Sequence, residues 1–304
     1  MQTDVIGLGV STVDILSQVE HLPVEEEVQR ALEMSVQGGG PVATAMVTLA
    51  RLGAKAAMLD RIGSDWRGEM IRAEFQREGV KVENLLVSKD CSSSTACILV
   101  TAQNGARSIV YSPGTAPELS SADVPASEIA SAKILHVNGR HWQACLKAVE
   151  IAHQAHVRVS FDGGAHRYRP ELEQLVPLTD ICIVARDFAE KYTRSVDIRK
   201  ASEILLECGP GLVVITEGTK GSWIHSREGQ FFHQPAYLLP KVVDTTGCGD
   251  AYHGAFLFGL LESWELEKTA SFASAVAALN SQHLGGRAGL PTFAQVEAFL
   301  STGN

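Results

Sequence analysis

KILHVNG (133–139), VRVSFDG (157–163), ICIVA (181–185) and LVVITEG (212–218) are four short apolar runs rich in β-branched residues. Text with helical periodicity follows or separates them, at 142–155, 170–177, 187–193 and 198–208. Apolar runs without strict alternation suit strands buried on both faces, and intervening helices supply parallel crossovers. The predicted fold is therefore α/β, a doubly wound and mostly parallel sheet flanked by helices. Upstream, the VIGLGV run within residues 4–10 and AAMLDRI (56–62) read as two more buried strands. VATAMVTLARLGA (42–54) reads as a buried helix closed by Gly53, and residues 68–78 as an amphipathic one. AYHGAFLFGLLES (251–263) and LEKTASFASAVAALNSQHL (266–284) continue as long helices.

Two stretches break this rhythm. STACILVTAQNGARSIVYS (94–112) is a pair of alternating β runs around Asn104-Gly105, a strong short-range hairpin signal. Residues 11–37 are polar and irregular, with Pro23 and an acidic run at Glu25–Glu27. Segments 11–37 and 93–112 are expected to pair as a small sheet outside the main one, within a single domain spanning 1–304.

Composition excludes several classes. A net charge of −9, from 26 Lys and Arg against 35 Asp and Glu, argues against phosphate-backbone binding to nucleic acid. No apolar run reaches the roughly 18–20 residues of a membrane helix, and no basic segment precedes the first apolar run as in a secretory signal. The six cysteines lack C-x-x-C or zinc-ligand spacing, so free thiols in a reducing cytoplasm are expected. Gly7-Leu8-Gly9 starts a dinucleotide fingerprint but lacks its third glycine, and no G-x-x-x-x-G-K-[ST] occurs.

Ligands of doubly wound sheets sit at the carboxyl ends of strands, where Asp14, Asn138, Arg140, Asp162 and Thr216 are expected. The sharpest chemical signal is VVDTTGCGDAYHGAFLFGLL (242–261). Two glycines one residue apart, at a helix start, let backbone amides converge on an anion. A carboxylate at Asp250 would repel a merely bound phosphate. It makes sense as a base taking the proton of a hydroxyl that attacks a phosphoryl group. Without further context, Asp250 also reads as an ordinary helix cap.

The context resembles the PfkB (ribokinase-like) family of carbohydrate kinases. DTTGCGDAYHGAF (244–256) resembles its C-terminal signature, with Cys248 in place of the usual alanine. GGGPVATAMVTLARLGA (38–54) resembles the N-terminal signature, GLGVSTVDIL (7–16) the opening strand, and VVITEGTKGSW (213–223) the strand and turn that support the nucleotide. The resemblance implies ATP and Mg²⁺ as cofactors, a small sugar as acceptor and a primary hydroxyl as its reacting group. It makes Asp250 the catalytic base and the amides of Gly247, Cys248 and Gly249 an anion hole. It puts Asp14, Gly39, Gly40 and Thr44 at the sugar, and Thr216, Glu217, Gly218, Gly221 and Asn280 near ATP. It implies a monovalent cation, K⁺, at Asp244 and Thr246 near the Gly285–Gly289 loop. It makes the small sheet a lid over the sugar that mediates a homodimer.

The family's N-x-x-E motif, which organises Mg²⁺ through water, falls at Ala185 and Phe188, neither of which can serve; Asp187 or Glu190 would have to substitute. Thr44 stands where the N-terminal signature has asparagine. GGGPVATA, QPAY (234–237) and FASAVAALNSQHLGGRAGLP (272–291) look like the sulfofructose-kinase branch, and Arg140 matches an arginine contacting the substrate anion there. That branch's lid lysine falls at Val28 and its hairpin asparagine at Tyr111, so a different acceptor is expected. Arg107 is a second candidate for an anionic acceptor. His136, His141 and His166 lack zinc spacing, and His253, three residues after Asp250, fits helix packing. A nucleoside kinase of the same fold, with Tyr111 against the base, and a non-catalytic sugar- or nucleotide-binding protein are the alternatives.

Overall fold

A computed structural model describes residues 2–302. Strand β1 (Val5–Leu8) is wholly buried, and the chain leaves it through Gly9–Ser11 into β2 (Thr12–Val19) and returns along β3 (Glu33–Gly39). A strand thus follows Gly7-Leu8-Gly9 where a dinucleotide fold would place a helix. Helix α1 (Pro41–Leu52) starts on Pro41, whose missing N–H costs nothing at a first helical position, and ends on Gly53 at φ 107°. Then come β4 (Ala56–Gly63), α2 (Trp66–Arg77, capped by Asp65), β5 (Leu85–Ser88), β6 (Ser94–Thr101), β7 (Arg107–Ser112) and α3 (Ala126–Ser131).

The expected alternation follows. It comprises β8 (Ile134–Val137), α4 (Trp142–Gln154), β9 (Arg158–Gly163), β10 (Ile181–Ala185), α5 (Arg186–Thr193), α6 (Ile198–Cys208) and β11 (Leu212–Thr216). One expected helix is absent from it. Residues 170–177 form two short 3₁₀ turns, Pro170–Gln174 and Val176–Leu178, because Pro177 lacks the N–H that a helix continuing through it would need. The antiparallel strands β12 (Ser222–Ser226) and β13 (Phe231–Gln234) precede α7 (Cys248–Leu261), α8 (Leu266–Asn280) and α9 (Phe293–Ser301).

The main sheet runs β13-β12-β11-β10-β9-β8-β1-β4-β5, parallel from β11 to β5. One face packs on α1, α7 and α8 through Met46, Phe256 and Phe272; the other packs on α4, α5 and α6 through Val149, Phe188 and Leu205. Each such side chain, fully buried, contributes about 1.5–3 kcal/mol. Among the described residues no helix is long and apolar enough to cross a membrane.

The second sheet runs β3-β2-β6-β7, with β2 and β6 parallel. Leu16, Ala96, Ile98 and Val100 bury its inner face against Leu284. Met34, Val36, Ile109, Val110 and Tyr111 leave apolar surface exposed. The β6–β7 loop is wider than a two-residue turn. Asn104 Oδ1 accepts from the Ala106 amide at 3.0 Å, and Gly105 supplies the positive φ of 65°.

Candidate active site

The loop before α7 is built on contacts only glycine permits. Gly247 caps the helix at φ 70°, and a Cβ there would lie 2.5 Å from Gly286 Cα. The space around Gly249 is open, with no atom within 4 Å of where its Cβ would be. The first-turn amides of α7, which have no intrahelical acceptor, therefore border an uncovered cradle. Asp250 sits in that turn, half-buried. Burial raises its pKa; Arg167 works against that rise and Asp162 adds to it. A carboxyl so held takes up a proton more readily than an exposed one. Burial pushes the Cys248 thiol up to about 12, so it is a protonated small side chain that leaves its amide in place.

Asp244, fully buried, locks this loop. Its Oδ1 accepts from Thr246 N at 2.7 Å and its Oδ2 from Gly285 N at 2.8 Å. Asn280 Nδ2 donates to Gly286 O at 3.0 Å. Thr246 Oγ1 and Asn280 Oδ1 are buried with no hydrogen-bond partner among the described residues. Two buried oxygens left over beside a buried carboxylate form a donor set that fits a monovalent cation.

Asp14 faces the site from β2, where its Oδ1 accepts from Thr12 Oγ1 at 2.6 Å. A Cβ on Gly39 would lie 2.1 Å from Asp14 Oδ2, so the glycine makes room for the carboxylate. Burial raises the pKa of Asp14 to about 6, with Asp250 and Glu74 adding to the rise and Thr12 and Arg287 opposing it. Asp14, on β2 of the small sheet, and Asp250, on α7, thus lie close enough for their charges to interact.

An arginine absent from the sequence reading holds these parts together. Arg287 is 2% exposed. Its backbone N donates to Gln37 Oε1 (3.0 Å), Nε to Thr44 Oγ1 (3.1 Å), and its two terminal nitrogens to Glu74 Oε1 (3.1 Å) and Gly39 O (2.7 Å). Glu74 Oε2 accepts from Gly38 N at 2.6 Å. Thr44 Oγ1 thus accepts from Arg287 and keeps its own proton to donate. The available signal was Glu74, a charged residue on the face of α2 between the buried Ile71 and Phe75.

The hairpin reaches the catalytic loop. Arg107 donates to Thr245 Oγ1 at 2.8 Å, and Thr245 Oγ1 donates to Gly105 O at 3.0 Å. Arg140, half-buried beyond β8, has its Nε buried without a partner among the described residues.

Thr216, Glu217, Gly218 and Gly221 form a separate group on the β11–β12 turn. Glu217 accepts from Arg186 at 2.5 Å and from Trp223 Nε1 at 2.8 Å. Burial acts to raise its pKa, but these bonds hold it below the ordinary carboxylate value. Its carboxylate is committed to the protein. Gly218 (φ 58°) and Gly221 (φ 95°) shape the turn, and a Cβ on Gly221 would lie 2.1 Å from Gln234 O.

The residues at the missing N-x-x-E motif are differently engaged. Phe188 is fully buried and packs against Phe161 and Tyr192. Glu190 accepts from Arg186 through Oε1 at 2.6 Å, and Asp187 accepts from His166 N through Oδ2 at 2.7 Å. A carboxylate has a second oxygen and about four lone pairs, so one such bond leaves each able to order metal-bound water.

Histidines sort differently in space than in sequence. His141 is buried between Asp60 Oδ1 (2.8 Å) and Leu119 N (3.1 Å), and the His166 ring is exposed. His136 instead meets His253, ring centroids 5.7 Å apart, beside Asp162. Burial lowers the pKa of His136 to about 3 and of His253 to about 4, so both rings are neutral.

Residues 2–293 match the pfkB family carbohydrate kinase profile. An uncharacterized sugar kinase of Archaeoglobus fulgidus is 30% identical over 80% of this chain and 98% of its own. A nucleoside kinase of Methanothermobacter thermautotrophicus is 28% identical over 95% and 92% of the two chains. The solved ribokinase of Giardia lamblia superposes with a TM-score of 0.88, covering 99% of this chain and all of its own, at 18% identity, a likeness of fold. The chain belongs to the pfkB family of carbohydrate kinases.

Proposed function

We propose that the protein transfers the γ-phosphoryl group of ATP to a hydroxyl of a small sugar or sugar derivative. The observation that carries this reading is the pairing of Asp250 with the open amide cradle at the α7 N-terminus, opposite Asp14. Asp14 accepts hydrogen bonds from sugar hydroxyls and orients them, with Gly39 and Gly40 giving the close approach. Asp250 takes the proton of the attacking hydroxyl. The amides of residues 247–249 stabilise charge on the transferred group. The β11–β12 turn, through Thr216, Gly218 and Gly221, borders the nucleotide. Asp244, Thr246 and Asn280 would hold K⁺, which would fix the loop carrying the amides. Mg²⁺ would arrive with the ATP phosphates, and Asp187 or Glu190 would order its water through the oxygen not bonded to His166 N or Arg186.

The small sheet acts as a lid that excludes water during transfer. Its exposed Met34, Val36, Ile109 and Val110 form the face against a second copy of the chain. Arg140, with an unpartnered buried Nε, favours an acceptor bearing an anionic group.

The test is ADP formation against ribose, fructose, sugar acids, sugar phosphates, sulfofructose and nucleosides, with Mg²⁺ and with or without K⁺. Asp250→Asn should lower turnover at least about a hundredfold while ATP still binds. Unchanged turnover would remove Asp250 as the base. ATP binding without turnover on any acceptor would favour the non-catalytic reading. Preference for nucleosides would move the substrate class, as the relationship to the Methanothermobacter nucleoside kinase allows.

A further inference from the structure

Beneath the candidate base lies a second polar cluster that phosphoryl transfer does not use. His136 comes from β8, Asp162 from the end of β9 and His253 from α7, one turn beyond Asp250. They are 0%, 3% and 3% exposed. His136 Nε2, both carboxylate oxygens of Asp162 and His253 Nδ1 have no hydrogen-bond partner among the described residues. Buried polar atoms are normally satisfied, so unpaired ones on all three residues of one cluster require an account.

We propose that His136, Asp162 and His253 form a binding site for a divalent transition-metal ion of the Zn²⁺ or Co²⁺ type. One ligand atom from each lies within 4.8 Å of the others. A triangle with edges of 4.8 Å has corners roughly 2.8 Å from its centre, so each ligand need close in by at most about 0.8 Å to reach bonds of about 2.0–2.2 Å. His136 is already oriented, because its Nδ1 pairs with Ser160 Oγ at 3.1 Å and turns Nε2 toward the cluster. His253 Nε2 stands 3.8 Å from Asp162 Oδ1.

With His136 in the tautomer protonated at Nδ1, one water has two protons for three acceptors, Asp162 Oδ1, Asp162 Oδ2 and His136 Nε2, whereas a cation accepts all three lone pairs. Two imidazoles and one carboxylate select a borderline nitrogen- and oxygen-loving ion over Mg²⁺ or Ca²⁺. Arg167 is the competitor. Its guanidinium reaches to 3.8 Å from Asp162 Oδ2 and its side chain is 44% exposed, free to swing outward as an ion enters.

The experiment uses chelator-treated full-length protein without nucleotide, titrated with Zn²⁺ by calorimetry and with Co²⁺ by visible absorption. One equivalent should bind with the spectrum of a nitrogen- and oxygen-ligated ion, and excess Mg²⁺ should not displace it. His136→Asn, Asp162→Asn and His253→Asn should each weaken binding at least about tenfold, with thermal melts confirming that each variant folds. Arg167→Gln should tighten it, which a purely structural cluster would not do. No binding, or binding unchanged in all three ligand variants, would overturn the proposal and point to water in the cluster or to the cysteines. Either result leaves the kinase reading intact, since that reading uses none of these three side chains.

Discussion

Two buried ionic clusters flank the candidate site, and they are built differently. In the Arg287 cluster every nitrogen that could donate, apart from spare protons, has an acceptor, and Glu74 answers both Arg287 and the Gly38 amide. In the Asp162 cluster, among the described residues, the carboxylate has only Arg167 and His253, each at 3.8 Å, and no hydrogen bond. A buried charge with a full set of partners fixes geometry. Arg287 ties β3, α1, α2 and the loop after α8 into one body under the sugar pocket. A buried charge without them keeps its solvation cost and stays available to something that binds.

Removing one partner from the complete cluster should have the largest effect on stability. Arg287→Met leaves the buried Glu74 with only the exposed Arg77, at 4.0 Å, as a cation partner among the described residues, a loss of about 3–5 kcal/mol. That is on the order of 10 °C in Tm, read by calorimetry. Glu74→Leu added to Arg287→Met should restore much of the loss, since the stranded charge goes with it. Equal destabilisation in the single and double variants would show that packing, not the charge pair, carries the cluster.

Asp14 stands between the two extremes, with one hydrogen bond from Thr12 and the field of Arg287. Its folded pKa of about 6 exceeds the ordinary aspartate value of 3.8. A raised carboxyl favours the folded state most below pH 3.8, and that contribution is lost as pH rises through about 6. In full the loss is roughly 3 kcal/mol. Between pH 5 and pH 8 the gap in stability between Asp14→Asn and the parent should therefore move by roughly 1–2 kcal/mol in favour of Asn. Urea melts at the two pH values measure it, and a gap that does not change with pH would mean Asp14 is better solvated than its burial indicates.

How much of this was readable in the chain follows from where the interactions run. The parallel strands announced themselves because burial on both faces writes long apolar runs, and the α7 loop did because its glycines and Asp250 are local. Segment 170–177 misled because its apolar spacing is helical while Pro177 forbids the bonding. The Arg287–Glu74 joint spans 213 positions, and nothing near Arg287 marks it as buried. Sequence order groups His136 with His141 and His166, yet the strand order brings β8 and β9 under α7 and gives His136 a different partner. The Glu217 carboxylate looked available for the nucleotide and is instead taken through both oxygens by Arg186 and Trp223.

The smallest effect should come from the incomplete cluster, measured with chelator present. Asp162→Asn removes a buried charge that no hydrogen bond stabilises. Its ion partners are a half-exposed arginine and a histidine that burial keeps neutral. The Asn amide is nearly isosteric and needs less solvation than a carboxylate, so its cost in the fold is lower. The variant should match the parent within about 1 kcal/mol, or exceed it, by urea denaturation at pH 7. Arg287→Met in the same assay supplies the contrast. If Asp162→Asn destabilised by as much as Arg287→Met does, Asp162 would be a structural anchor like Glu74. Its open hydrogen-bonding positions would then be filled by ordered water that the fold requires. A near-neutral result keeps the two clusters distinct: one exists to hold the chain together, and the other is retained at a cost in solvation that only a bound ion repays.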